Sequence, residues 1–333
     1  MPQVSLLSGS VFDARIGSSL LDAAADAGIF LPYSCKTGRC SSCKCKVIAG
    51  KTKELHPEVG LTEQEKTHGW ILSCVRSAET DVTIEADDLS DVVLPTIKTF
   101  PCRISHIELM ASDVLQVKLR LPPSQEFDFL PGQYVDVIGP NGIRRSYSLA
   151  NANFSNKLLE LHIRAVEDGV MSDYWFKQAK INDLLRLSGP LGTFFLRNTD
   201  NLDLIFIATG TGIAPVKAML EMLPERPIDQ TPRSVTVLWG GRNPADLYID
   251  ISRIEGKFEY VPTLSRADKH WTGAHGYVQH KLLSMRNDFT QAVVYACGSD
   301  AMIQSAKELL VQKGLPIKRF YADAFVCSSS SNG

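Results

Sequence analysis

The sequence predicts a multidomain chain of α/β and β character: a small mixed domain, a mostly β middle and a doubly wound parallel α/β domain. Three observations predict it. Four cysteines near the N-terminus, Cys35, Cys40, Cys43 and Cys74, stand at a loop-forming spacing. Short apolar runs broken by Gly and Pro fill residues 102–198, the pattern of a barrel built from short strands. From residue 199 to 327 apolar strands alternate with helical stretches, which argues a parallel sheet covered by helices.

The first domain, 1–94, is organised around its cysteines. Cys35, Cys40 and Cys43 read C-x4-C-x2-C, and Cys74 follows from a separate element. This is the plant-type spacing of a [2Fe–2S] cluster, whose irons complete tetrahedral shells with four thiolates. A structural zinc site and free core thiols are the alternatives. Zinc favours two matched cysteine pairs, and here the second is missing because Cys74 stands alone. Gly38, Ser41 and Ser42 are small enough for backbone N–H groups to approach the cluster sulfurs. Ser18 or Ser19 can cap a helix carrying Leu20, Leu21, Ala24 and Ala25 that ends at Gly28. Thr62 and Glu65 form a capping-box pattern for a second short helix. Residues 44–48 and 82–85 alternate as strands. Pro95 and Pro101 then mark 95–101 as a linker.

In the middle domain, strands are expected at 114–121, 134–138, 158–166 and 184–187, with turns at Pro131-Gly132, Gly139-Pro140 and Gly189-Pro190. Arg145-Ser146-Tyr147-Ser148 falls at the end of one strand. Arginine offers a charge-assisted grip on phosphate. Tyr147 offers a flat face to an aromatic ring, and Ser148 a hydroxyl for a flavin's reactive nitrogen. Alone, such a run is ordinary strand sequence. Gly169-Val170-Met171-Ser172 adds a turn that would aim N–H groups and a hydroxyl at a pyrophosphate.

The last domain opens with an apolar strand at 204–208, which runs into Gly210-Thr211-Gly212-Ile213-Ala214-Pro215 and a helix over 215–223. Glycines allow close approach of a pyrophosphate, the helix N-terminus favours its charge, and Pro215 suits a first turn. A purely structural turn is the alternative. Further strands are expected at 235–239, 258–261 and 292–297, and a helix at 301–313. The tail, 328–333, is low in complexity and is expected to be disordered.

Composition bounds the rest. The chain has 333 residues, 44% hydrophobic and 22% charged, with a formal net charge of −2, so nothing points to nucleic acid. No basic segment precedes an apolar run at the N-terminus, and no stretch approaches a membrane span. Eight cysteines with a thiolate motif fit a reducing compartment. The expectation is a cytoplasmic protein. Lys36, Arg39, Lys44 and Lys46 form a basic rim on the cluster loop in an otherwise acidic domain, as an acidic docking partner would require. A solvated surface is the plainer reading. Cys45, Cys102 and Cys327 have no assigned role.

Taken in order, these motifs resemble the ferredoxin–NADP reductase superfamily, and more narrowly its members with a plant-type ferredoxin at the N-terminus. The run Leu31-Pro32-Tyr33-Ser34-Cys35-Lys36-Thr37-Gly38-Arg39-Cys40-Ser41-Ser42-Cys43 resembles that ferredoxin, and Gly210 to Pro215 matches the superfamily's G-T-G-x-A-P. The resemblance implies a β-grasp ferredoxin domain, an antiparallel β-barrel flavin domain and a doubly wound parallel α/β nucleotide-binding domain. It implies a [2Fe–2S] cluster on Cys35, Cys40, Cys43 and Cys74. It implies FAD on Arg145, Ser146, Tyr147 and Ser148, with His162, Ile163, Arg164, Gly169, Val170, Met171 and Ser172 lining the pyrophosphate and adenosine side. It implies NADH, with NADPH the alternative, on Gly210, Thr211, Gly212, Ile213, Ala214, Pro215, Gly240, Arg242, Cys297 and Gly298. Ser265 and Arg266, with Tyr277 and Gln279, resemble the grip on a 2′-phosphate, and Arg266 is the residue that would favour NADPH. Cys297 would lie by the nicotinamide, and Asp323 and Phe325 against the flavin, completing with Ser148 the catalytic set.

The implied activity is NAD(P)H-dependent electron transfer to a partner protein. Arg144-Arg145-Ser146-Tyr147-Ser148, Ala150-Asn151-Ala152, Ala214-Pro215-Val216-Lys217, Trp271-Thr272-Gly273-Ala274 and Ala322-Asp323-Ala324-Phe325 look like one group of reductases. Those serve a pyridoxamine-phosphate (PMP)-dependent CDP-6-deoxy-4-keto-hexose 3-dehydrase in the 3,6-dideoxysugar branch of lipopolysaccharide biosynthesis. Several of the runs also occur in reductase components of ring-hydroxylating dioxygenases and multicomponent monooxygenases. A redox-sensing module without turnover is a third reading.

Overall fold

The computed structural model describes residues 1–154 and 156–325. Cys327 and the tail expected over 328–333 lie outside the described residues. The chain divides into two compact units, 1–94 with 192–194, and 95–191 with the residues from 195 onward.

In the first unit, strands β1 (Gln3–Leu6), β2 (Val11–Asp13), β3 (Lys44–Ala49), β5 (Trp70–Leu72) and β7 (Val82–Glu85) form one mixed sheet, in the order β2-β1-β7-β3-β5. The sheet packs on helix α1 (Leu20–Asp26), whose Leu20, Leu21, Ala23 and Ala24 are buried in the domain's apolar core. Ser19 caps α1, accepting the Asp22 N–H at 3.0 Å. The Thr62–Glu65 capping box forms in full at the start of α2 (Glu63–Thr67). A small pair, β4 (Thr52–Glu54) with β6 (Arg76–Ala78), lies outside the main sheet. Residues 192–194 join this unit through Tyr33, whose N–H donates to Thr193 Oγ1 at 2.8 Å.

The second unit opens with β8 (Lys98–Ala111), a 14-residue strand. Residues 98–101, expected in the linker, are its first residues. Pro101 is tolerated because this stretch pairs only with β13 (Leu184–Leu191); β9 (Val114–Arg120) joins the other side from Arg103 onward. A residue with no N–H fits a strand that has a neighbour on one side only. With β10 (Tyr134–Ile138), β11 (Arg144–Ser148) and β12 (Leu158–Arg164), the sheet runs β11-β10-β13-β8-β9-β12, with all neighbours antiparallel. A bridge between Leu149 and Leu161 joins its two edges, closing a barrel around a core that includes Ile104, Val117, Leu119 and Leu159. Short helix α3 (Val170–Asp173) continues as a π turn, Tyr174–Gln178.

The same unit carries a six-stranded, wholly parallel sheet. Its strands are β14 (Asp203–Thr209), β15 (Ser234–Gly241), β16 (Glu259–Leu264), β17 (Ala274–His275), β18 (Ala292–Gly298) and β19 (Phe320–Ala324), and their order is β17-β16-β15-β14-β18-β19. Helices α4 (Ile213–Met222), α5 (Val278–Met285) and α6 (Asp300–Gln312) connect them. The order reverses between β14 and β18, and such a switch point opens a ligand crevice at the carboxyl ends of the strands. No described helix is long and apolar enough to cross a membrane.

Candidate functional site

The cysteine loop is shaped by its backbone. Lys36, Gly38 and Ser41 all take positive φ, at +55°, +74° and +58°. At Gly38 the sequence is obligatory, because a Cβ there would lie 2.6 Å from the Pro57 carbonyl oxygen. The folded loop turns N–H groups onto sulfur: Thr37 donates to Cys35 Sγ at 3.3 Å and Cys35 to Cys40 Sγ at 3.4 Å. Cys74 arrives on the turn Ser73–Val75, which the Ser73 N–H ties to the Cys43 carbonyl at 3.1 Å. The thiols fall into two pairs. Cys43 and Cys74 lie 3.1 Å apart, and Cys35 is within hydrogen-bonding reach of Cys40.

In each pair one sulfur donates and the other is stabilised as a thiolate. The Cys40 thiol holds Cys35 down to about 4, and the Cys43 thiol lowers Cys74. Among the described residues no three His, Cys, Asp or Glu side chains converge as a single ion would require. Two pairs fit a binuclear centre, one pair to each iron. Cys45, by contrast, is wholly buried on β3, and burial pushes its thiol up to about 12. Two of the four cations of the basic rim are paired within the domain. Lys36 pairs with Asp22 at 3.2 Å and Lys44 pairs with Glu65. Glu58 is fully buried and accepts from Leu72 N–H at 2.6 Å and Arg76 Nη2 at 2.7 Å, fixing the segment beside the loop.

Strand β11 presents the second group. Ser148 is buried at the strand end, and Tyr147 is half-buried. The Tyr147 hydroxyl accepts the Trp175 indole N–H at 2.9 Å, with the rings edge to face at 6.2 Å. Ser146 donates to Asp136 at 2.6 Å. Arg145 donates to the Arg144 carbonyl, and among the described residues no carboxylate forms an ion pair with it. An exposed arginine, a phenol ring and a hydroxyl on one strand fit a phosphorylated flavin. Gly169 caps α3, and Ser172 Oγ accepts the Val166 N–H at 2.9 Å, closing the turn. Gly139 makes room for Met171, since a Cβ there would lie 2.5 Å from its sulfur.

Strand β12 places its three residues on alternate faces. The Ile163 side chain packs into the barrel core, whereas His162, on the opposite face, is buried between Glu160 and Tyr248. Arg164 shares the face of His162 and is half-buried. It pairs with Asp113 at 3.0 Å and Asp246 at 3.3 Å, and its Nη1 would lie 2.6 Å from a Cβ on Gly210.

The third group gathers at the switch point. Gly210 has φ +56°, and a Cβ on Gly212 would lie 2.3 Å from the Cys297 carbonyl oxygen. Gly298, at φ +133°, leaves no room for one beside Thr209 Oγ1, 2.2 Å away. The loops after β14 and β18 therefore interlock through glycine. Thr211, Ile213, Ala214 and Pro215 are buried at the start of α4. Cys297 pairs in register with Asp323, both buried, and the Phe325 N–H donates to the Gly298 carbonyl at 2.8 Å; Phe325 is 37% exposed. Burial, then the Asp323 charge, pushes the Cys297 thiol well up. Beyond Gly240, the Ser265 N–H donates to Gly241 at 3.0 Å and the Arg266 N–H to Arg242 at 2.9 Å, bringing those residues to one edge. Tyr277 is exposed there, and Gln279 is buried, its Nε2 donating to Ser305 Oγ on α6 at 3.2 Å.

Three family models match the chain in order. Residues 7–79 match the 2Fe-2S iron-sulfur cluster binding domain, 101–196 the oxidoreductase FAD-binding domain and 206–308 the oxidoreductase NAD-binding domain. The chain is 41% identical over 325 residues to the CDP-6-deoxy-L-threo-D-glycero-4-hexulose-3-dehydrase reductase of Yersinia pestis, covering 96% of this chain and 97% of that one. The chain belongs to the iron–sulfur flavoprotein reductases. Another member, terephthalate 1,2-dioxygenase reductase component 1 of Comamonas sp., is 31% identical with 96% of each chain covered. Among solved structures, the Amycolatopsis cytochrome P450 reductase GcoB is 28% identical with a TM-score of 0.75, covering 99% of this chain and 100% of that one. As an iron–sulfur flavoprotein reductase the chain is an NAD(P)H-dependent oxidoreductase with [2Fe–2S], FAD and NAD domains.

Sequence reasoning left Trp175, Asp246, Tyr248 and Lys217 without roles. For Lys217 a signal existed: it is the one charged residue in the run from Ile213 to Leu220, which is otherwise buried throughout.

Proposed function

We propose that this reductase passes electrons to a PMP-dependent CDP-6-deoxy-4-keto-hexose 3-dehydrase in 3,6-dideoxysugar synthesis. The observation that carries this reading is the 41% identity along 96% of the chain to the Yersinia reductase, against 31% for the dioxygenase reductase component. In this reading Cys35, Cys40, Cys43 and Cys74 hold the cluster. Arg145, Tyr147 and Ser148, with the Gly169–Ser172 turn, hold FAD. Gly210 to Pro215, Gly240, Arg242 and Gly298 hold NADH, and Ser265 and Arg266 stand where a 2′-phosphate would lie. When bound, these groups supply a hydride transfer from nicotinamide to flavin and single-electron release through iron. The protein positions them: Cys297 and Asp323 floor the nicotinamide site, Phe325 covers the flavin face, and Ser148 offers its hydroxyl to the flavin.

Anaerobic stopped-flow reduction by NADH and by NADPH, with flavin and cluster absorbance followed separately, tests the reading. The reduced protein is then mixed with a CDP-sugar dehydrase and its substrate, or with an oxygenase component. Fast reoxidation by the dehydrase alone is expected. Fast reoxidation by the oxygenase alone would move the chain to aromatic oxidation, and faster reduction by NADPH would reassign Arg266 to the 2′-phosphate.

A further inference from the structure

A single lysine ties the flavin strand to the nucleotide loop. Lys217 lies on α4, the helix that the Gly210-Thr211-Gly212 loop opens. Its side chain is 17% exposed, and its ammonium has three polar partners: the Ala150 carbonyl at 2.8 Å, Glu221 Oε1 at 2.7 Å and Glu160 Oε1 at 3.2 Å. An ammonium has three donors, so all are used. Ala150 stands two residues beyond Ser148. The segment is gripped again at Ala152, whose N–H donates to Glu221 Oε2 at 3.1 Å, and from β12 by Glu160, whose carbonyl accepts the Ala150 N–H at 2.8 Å.

From Glu160 the network continues to the nucleotide loop by a second path. Glu160 Oε1 lies 2.9 Å from His162 Nε2, and His162 Nδ1 lies 2.9 Å from the Tyr248 hydroxyl. The carboxylate can only accept, so Nε2 carries the proton and Tyr248 donates to Nδ1. Tyr248 packs edge to face on Trp239 at 5.3 Å, and the Trp239 indole N–H donates to the Gly210 carbonyl at 3.0 Å. The ring is thus closed: from Gly210 along α4 to Lys217 and Ala150, and from Glu160 through His162, Tyr248 and Trp239 back to Gly210. A buried polar network of this kind fixes one geometry, because a half-satisfied alternative leaves charges uncompensated.

We propose that Lys217 is a positioning residue for hydride transfer, with Glu160 and Glu221 as its anchors, setting the spacing between the Ser148 end of the flavin strand and the Gly210 nucleotide loop. This rests on the assignment of those two segments to flavin and nicotinamide. The lysine touches neither group. Its effect is on the distance and angle between them, to which hydride transfer is steeply sensitive, a misplacement of about 1 Å costing roughly a hundredfold.

The test uses the full holoprotein with Lys217→Met, Lys217→Arg, the milder Glu221→Gln, and Ser148→Ala as control. Nucleotide affinity, FAD content, the flavin reduction rate at saturating nucleotide and the long-wavelength charge-transfer absorbance between nicotinamide and flavin are read separately. The expected result for Lys217→Met is a flavin reduction roughly 10- to 100-fold slower with a weakened charge-transfer band, and nucleotide affinity within about threefold of wild type. Lys217→Arg should recover most of the rate and band, and Glu221→Gln should fall between. Wild-type rate and band in Lys217→Met, with Ser148→Ala slowed, would overturn the positioning role alone. Wild-type behaviour in Ser148→Ala would overturn the assignment of the flavin strand. Parallel loss of FAD and thermal stability in both Lys217→Met and Glu221→Gln, unrelieved by Lys217→Arg, would reduce Lys217 to a structural role.

Discussion

Cysteines of nearly identical sequence context behave differently because of where the backbone puts them. Cys43 and Cys45 are two residues apart. Cys43 faces Cys74 at 3.1 Å, whereas Cys45 pairs in register with Ile71 in the strand core. Cys74→Ser should therefore abolish the visible absorbance of the cluster, and Cys45→Ala should retain it at an expected stability cost of about 1 kcal/mol. Retention of iron and sulfide by Cys74→Ser would refute the pairing. Gly298 is as sharply determined. Its φ of +133° is strained for any other residue, and a Cβ there would lie only 2.2 Å from Thr209 Oγ1, so there is no room for a methyl group. Gly298→Ala should lower stability by about 2 kcal/mol or more through strain and overpacking, read as a fall in the thermal midpoint. It should also slow flavin reduction, since the loops after β14 and β18 can no longer interlock. These residue-level features were legible in the sequence as spacing and glycine placement. The burial of His162 on the face of β12 away from the barrel core was not, because a histidine in an alternating strand gives no sign of which face it takes until its partners Glu160 and Tyr248 are known.

At the level of elements, strand and helix positions followed from period, and the errors came where period was interrupted. Pro101 hid the start of β8 because a proline reads as a break, yet it is accommodated beside a single neighbour. The π turn at Tyr174–Gln178, which brings Trp175 to Tyr147, has no local sequence sign at all. The foot of the parallel sheet carries a testable tie. Asp203 begins β14 and accepts from Arg233 Nη2 at 2.6 Å, Ser234 Oγ at 2.7 Å and Arg286 Nη2 at 2.8 Å, joining β14, β15 and the exit of α5. The Arg233 hydrogen bond foremost, helped by Ser234 and Arg286, holds its carboxyl well below the usual range. A carboxyl depressed in the folded state contributes stability that is present above its unfolded pKa, about 3.9, and is lost as pH falls below it. Asp203→Asn should cost about 2 kcal/mol at neutral pH. That difference should begin to shrink as denaturation is repeated below about pH 4 and keep shrinking as pH falls on toward the depressed folded value, where the wild type loses the same contribution. A difference constant with pH would mean the tie acts through shape and not charge.

At the level of the whole molecule, the three-part architecture was readable because each part announces itself by a different signal: cysteine spacing, turn-punctuated strands and a strand–glycine–helix run. The docking chemistry was not, because charge read along the chain does not say which charges are already spent. Lys36 and Lys44, two of four cations on the expected basic rim, are engaged by Asp22 and Glu65 of the same unit. Lys36 also lies over the Tyr33 ring at 4.8 Å and Lys44 over Trp70 at 5.0 Å. The formal net charge of the whole chain is only −2. Long-range steering needs a sustained field of one sign, and internally paired charges supply little of it. Reoxidation of the reduced protein by its acceptor should therefore change by less than about threefold between roughly 20 and 300 mM salt, a range over which steered encounters fall steeply. Should the second-order rate constant instead drop tenfold or more, a charged docking face does exist, and Arg39 and Lys46, the two rim cations outside these pairs, are where its neutralisation should be tried first.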